Sequence, residues 1–282
     1  MPSPATLLLA ALAPVVAERG PFPDPAVIAL AGGEDVVVAQ ELGYFEAGLL
    51  AAQPEAHWRL RGLAREGDTV FEQPRPPGHP PWEEELRSLR VSVVVAQFGL
   101  SEGVARVEPG EFARGYGELV RRWQSAGAEV WMVGPSGPAG LGSLDALRGR
   151  LPALAAELGA GWIPVPPTTA RELRGDGLHL NPAGQRAAAG QWLAGLALSG
   201  HPPATERLIG LVRDKNRLWA EQWWPRNLAY RHPPLAGRPA AQDPFRPGRT
   251  WPEADQARWP GLVDAAEDRI RRVFRTPLEV WE

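Results

Sequence analysis

The sequence predicts an α/β fold, a three-layer α/β/α sandwich around a five-stranded parallel sheet, followed by a C-terminal helical extension. Two observations carry this expectation. Five short strand-like runs, 27–31, 57–63, 91–98, 129–133 and 161–165, alternate with helix-period segments, the pattern of a parallel sheet covered on both sides. The run 91–98 is also apolar almost without interruption, as a central strand buried on both faces requires.

Taken in order, the first strand stops at Gly32-Gly33, and a helix is expected over 41–52. Strand 57–63 leads into the turn Gly67-Asp68-Thr69, a proline-dense loop over 74–81 and a short helix over 82–89. Helices over 111–125 and 144–158 separate the later strands, and a helix over 182–198 closes a domain of residues 26–200. The extension, 201–282, holds a helix over 204–223 that breaks at Pro225, a Pro/Gly-rich arm over 231–252 and an amphipathic helix over 253–274. In such a sheet the ligand crevice lies at the C-terminal ends of the strands, so the loops after each strand are where function is sought.

Composition narrows the possibilities. The chain has 282 residues and a net charge of -3, with arginines scattered among carboxylates; it lacks the concentrated basic face that nucleic-acid binding needs. It has no cysteine, which excludes disulfides, thiolate metal sites and cysteine nucleophiles. Residues 5–17 form an apolar run of signal-peptide length, ending in a small residue before Glu18 and Arg19 and too short to span a bilayer. The expectation is a signal peptide over 1–17 and a secreted or periplasmic protein, the alternative being a buried N-terminal helix.

The most specific local signal is Asp176-Gly-Leu-His179-Leu-Asn-Pro-Ala-Gly184, after the fifth strand and just before a helix. A carboxylate three residues before a histidine can fix one imidazole tautomer and stabilise its protonated form, as a hydrolytic triad needs. The same residues also read as a capping loop, with Asn181 at the N-cap and Pro182 at the first helical position. Asp68-Thr69 reads as a turn held by side-chain to backbone bonds, and Glu102 either as an orienting carboxylate or as a solvated one. Trp219, Trp223 and Trp224 read as packing residues of the extension, and His57, His79, His201 and His232 as surface or packing histidines.

DGLHLNPAGQ resembles block V of the SGNH/GDSL hydrolases, where Asp and His complete the triad. Residues 27–33 resemble the family's first strand; Arg61 through Gly67-Asp68-Thr69 resembles block II, and Phe98-Gly-Leu-Ser101-Glu102 resembles block III. Lys215-Asn216, Trp223-Trp224-Pro225, Asn227 and Tyr230 are similar to the C-terminal segment of a subgroup common in Planctomycetes. The resemblance covers roughly residues 26 to 232. It implies a flavodoxin-like sandwich, an ester or acetyl hydrolase of small esters or acylated carbohydrates, and no cofactor. Asp176 and His179 would be catalytic, and Gly67 and Ser101 would supply the oxyanion hole.

The chain departs from that pattern where chemistry begins. Aligned through Gly43-Tyr44-Phe45-Glu46, Glu34 stands where the family has its nucleophilic serine, Gly33 replaces the preceding Asp, and Ser101 replaces an oxyanion-hole Asn. No Ser or Thr occurs between Thr6 and Thr69, so the first crevice loop cannot supply a hydroxyl in any register. Loss of a triad nucleophile costs about a millionfold in a serine protease, and loss of one oxyanion donor about a hundred- to a thousandfold. Three readings follow: a crevice that binds without cleaving; a hydrolase in which His179 works with Glu34 or Asp35, or with a displaced Ser101 or Ser136; and a metal site of Glu34, Asp35, Asp176 and His179, whose spacing is not metal-specific.

Overall fold

The structure is a computed structural model that describes residues 20–75, 79–167, 170–224, 242, 247–248 and 257–275. Five parallel strands, β1 (Ala26–Gly32), β2 (Trp58–Gly62), β3 (Val93–Gln97), β4 (Glu129–Val133) and β5 (Gly161–Ile163), form one sheet in the order β2-β1-β3-β4-β5. The chain steps outward from β1 to β2 and returns to pair β3 on the other side of β1, placing the topological switch between β1 and β3. The fold class is the expected one.

Alternation along the strands sorts the core into two layers. Ile28, Leu30, Val93 and Val95 face α1 (Glu34–Leu42), α2 (Tyr44–Ala52) and α7 (Pro182–Gly195), through Val36, Phe45, Leu49 and Trp192. Ala29, Ala31, Val94 and Ala96 face the opposite layer of α3 (Trp82–Ser88), α5 (Pro109–Ser125) and α6 (Gly142–Glu157), through Leu86, Phe112, Trp123 and Leu151. A short helix, α4 (Leu100–Val104), follows β3 and was not expected from the sequence. The extension contributes α8 (Glu206–Trp223) and α9 (Trp259–Arg275), which pack Leu208, Val212 and Ile270 against Ala47 and Leu50 of α2.

The main correction concerns the first helix, expected over 41–52. It starts seven residues earlier, at Glu34, and is divided by Gly43, whose left-handed φ of 67° caps α1 and opens α2. A side chain at Gly43 would come within 2.7 Å of Val212 Cγ1, so that turn also lets α8 approach closely. Glu34 therefore sits at a helix N-terminus, where a carboxylate is favoured by the exposed N–H groups, and not in a free loop. The signal-peptide run, most of the 231–252 arm, Asn227, Tyr230 and His232 lie outside the described residues.

The extension is tied to the domain by buried charges. Lys215 Nζ lies 2.7 Å from Glu46 Oε1 and donates to Leu60 O, and Arg61 Nη1 lies 2.6 Å from Glu267 Oε1. All four residues are buried, which joins α2, β2, α8 and α9 through paired charges that cannot be separated cheaply. Among the described residues no helix is long and apolar enough to cross a membrane.

Candidate functional site

The switch point is shaped by Gly32 and Gln97, partners in the β1/β3 register. A Cβ on Gly32, whose φ is 150°, would lie 2.3 Å from Gln97 O and 2.5 Å from Val36 Cγ2, so only glycine permits the chain to leave β1 and turn straight into α1. That turn delivers Glu34 and Asp35 to a crevice also lined by Asp68, Gln97, Ser101, Glu102, Ser136 and His179. Its cavity volume is about 20 Å³, room for little more than an ordered water.

The His179 loop is built by short-range bonds. Arg174 and Leu180 form an antiparallel bridge, Gly175 N–H donates to His179 O, and Asn181 N–H donates to Leu173 O. Asp176 Oδ1 accepts from the N–H groups of Leu178 and His179, while its Oδ2 lies 2.7 Å from His179 Nδ1. Asn181 Oδ1 accepts from Gly184 N–H and caps α7. The Asp176–His179 contact and the helix cap thus occur together in one loop.

His179 Nε2 faces Glu34 Oε2 at 3.4 Å, an ion-pair distance. Burial of the ring works against its charge, but the hydrogen bond to Asp176 and the negative charges of Glu34, Asp176 and Asp35 together raise the His179 pKa above its ordinary value. Asp176, bonded to the ring and to two backbone N–H groups, is held far below the usual carboxylate range. The three side chains form a carboxylate–imidazole–carboxylate chain.

Asp35 differs from its neighbour. It is buried, accepts the Ser136 hydroxyl, and its main-chain O accepts from Gln185 Nε2 at 3.1 Å. Burial raises its pKa against the opposing pull of Ser136, His179, the Leu180 backbone and Arg174.

The other expected site residues fall as follows. Ser101 is exposed on α4 and lines the crevice. Gly67 is exposed in a turn at φ 81° and is not a lining residue, although Asp68 beside it is. Glu102 is not a solvated carboxylate: it is buried, and its two carboxylate oxygens accept from Val70 N–H (2.8 Å) and Gly99 N–H (2.9 Å), clamping the loops after β2 and β3 together. Asp68 accepts from Arg65 N–H and Thr69 Oγ1 from Glu72 N–H, so the turn reading stands.

Three residues of the site went unnoticed in the sequence. Arg75 grips Asp68 with two bonds of 2.6 and 2.9 Å, Gln97 donates to Gly134 O, and Arg174 donates to Ser136 O and Leu178 O, pinning the His179 loop to the end of β4. Gln97 carried a readable signal, a polar residue closing an otherwise apolar strand; Arg75 and Arg174 carried none. Among the described residues no group of three or more His, Asp or Glu side chains is arranged to hold a metal ion.

No family model matches the chain, and no curated protein matches it. Solved structures do. LAE5, an alpha/beta hydrolase enzyme from the metagenome of Lake Arreo, Spain, superposes with a TM-score of 0.54 at 17% identity, over 64% of this chain and 99% of its own. Axe2, an acetylxylan esterase from Geobacillus stearothermophilus, gives 0.51 at 14% identity, over 61% of this chain and 94% of its own. BT4096, a gut microbial diltiazem-metabolizing enzyme, gives 0.51 at 14% identity, over 64% of this chain and 48% of its own. At these identities the likeness shows a shared fold.

Proposed function

We propose that the chain is a degenerate ester hydrolase, whose crevice recognises a small ester or an acetylated carbohydrate but no longer attacks it through a histidine-activated serine. The observation that carries this reading is the contact between Glu34 Oε2 and His179 Nε2. In a working triad that ring nitrogen takes the proton of a hydroxyl nucleophile, and to do so it must be neutral. Here it faces a carboxylate, and the raised pKa keeps the imidazole protonated over more of the physiological range than a free histidine would be. A glutamate is a weak nucleophile toward esters, and its charge would repel the oxyanion it created. An acetyl ester is the substrate class we favour, in keeping with what Axe2 is described as acting on.

A second reading has one observation in its favour: Ser136 donates its hydroxyl to Asp35 inside the same crevice, a hydroxyl and a carboxylate already in contact. In that reading Asp35 takes the proton of Ser136 as the hydroxyl attacks.

Hydrolysis of short-chain aryl esters and acetylated xylo-oligosaccharides separates the two. The degenerate reading expects an inert parent and activity gained in Glu34→Ser, which is lost again when His179→Ala is added. Parent activity abolished by Ser136→Ala would overturn it in favour of the displaced nucleophile.

A further inference from the structure

The side chains of His179 and Glu34 are 33% and 54% exposed, so the direction in which the ring points is set by the backbone that carries it. Arg174 holds that backbone on both sides of His179. Its main chain forms the antiparallel bridge to Leu180, and its Nη1 donates to Leu178 O. Its Nη2 then crosses to another part of the chain and donates to Ser136 O at 2.7 Å. The residue is buried, and a guanidinium suits the task because its planar fork meets two acceptors in a fixed relation.

The segment that Arg174 reaches is itself fixed. Residues 135–138, between β4 and α6, offer successive carbonyls to arginines: Arg148 of α6 donates to Pro135 O, Gly137 O and Pro138 O, and Arg174 to Ser136 O. Ser136 is tied in turn to Asp35 through its hydroxyl. Asp35 bonds the Leu180 backbone through its carboxylate and Gln185 Nε2 through its main-chain O. These bonds close a circuit, Arg174–Ser136–Asp35–Leu180, which joins the start of α1, where Glu34 sits, to the loop that carries His179.

We propose that Arg174 is a positioning residue, which aims His179 Nε2 at the side chain of residue 34 by locking the His179 loop to Ser136 and, through Asp35, to the start of α1. It acts through these neighbours and touches no reacting atom. The proposal rests on the Glu34–His179 contact that carries the functional reading, but not on whether esters are turned over.

Position and charge predict opposite results. Arg174 is attracted by Asp35 and Asp176 and repelled by Arg148, while Glu34, Asp176 and Asp35 are the charges that act on the His179 ring. Removing a cation from this group would by itself raise the His179 pKa, whereas letting the ring swing away from Glu34 lowers it. Arg174→Gln removes both the charge and the fork; Arg174→Lys keeps the charge without the fork.

The test is a two-dimensional NMR titration of His179 in the full chain. Both variants should lower its pKa by about half a pH unit, the worth of a part-exposed ion pair. In Glu34→Gln, adding Arg174→Lys should move it no further, since the contact is already gone. A rise in Arg174→Gln with Arg174→Lys unchanged assigns Arg174 a charge role, and lost stability in urea with an unmoved His179 assigns it a scaffold role. Either result overturns the proposal, as does a fall that adds in full to that of Glu34→Gln. In the Glu34→Ser variant, Arg174→Lys should lower kcat for short-chain aryl acetates about tenfold at unchanged KM. An inert Glu34→Ser tells against the functional reading and leaves the titration to decide on Arg174.

Discussion

His179 stands between two carboxylates, its Nδ1 2.7 Å from Asp176 and its Nε2 3.4 Å from Glu34, and this fixes how the site titrates. Asp176→Asn should lower the His179 pKa, and Glu34→Gln should lower it too, because each substitution removes a negative charge facing the ring. A histidine titration by two-dimensional NMR measures both; a value unmoved by Glu34→Gln would break the ion-paired picture.

The same pair sets a direction for stability. His179 has a raised folded-state pKa, so its contribution is fully present below its ordinary value of about 6.5 and is lost as pH rises through the folded value. Asp176 is depressed, so its contribution is present above about 3.9 and is lost as pH falls through its lowered value. Urea melts of the parent and His179→Gln across pH 5 to 9 should converge at the alkaline end.

Asp35 should behave in the opposite way to Asp176. Burial raises its pKa, so its charge costs stability at pH values above the folded-state value and the cost fades on acidification. Asp35→Asn keeps an acceptor for Ser136 and removes the buried charge; thermal melting should show equal or higher stability than the parent, with the gain larger at pH 8 than at pH 5.

Glu102→Gln probes the clamp between the crevice loops. The amide offers one acceptor where the carboxylate met two N–H groups, leaving Val70 or Gly99 unpaired and costing about 1–3 kcal/mol. Denaturant unfolding measures the loss, and a cost near zero would mean that the clamp is not needed.

Lys215→Met should be severe, about 3–5 kcal/mol, because it strands Glu46 as a buried charge. Adding Glu46→Leu should recover much of that loss, since two apolar residues no longer require pairing. A double variant no better than the single one would argue against the ion pair as the source.

The fold was legible because strand periodicity and glycine-rich strand ends reflect local constraints: five strands, their order of appearance and most helices can be read from them. The start of α1 was missed because Gly32-Gly33 looks like a loop signal, whereas here glycine is required by close packing against Gln97 and Val36 and the helix begins directly afterwards. Asp176 and His179 were readable since they touch across three residues. The bonds of Arg75 to Asp68, of Arg174 to Ser136, and of Lys215 to Glu46 join residues 7, 38 and 169 positions apart. The two longer ones are created by the tertiary fold, and the short one lies in a proline-dense loop whose path follows no periodicity.

The buried pairing of Lys215 has a practical consequence, because it is the only lysine in the chain. A folded molecule offers amine-reactive reagents no lysine side chain at all, leaving only an N-terminal amine to be labelled. The rate at which an acylating reagent marks the peptide containing Lys215 is therefore a clock for the opening of the α2–α8 contact, and can be read in a mixture or a cell extract where spectroscopy cannot follow a single protein.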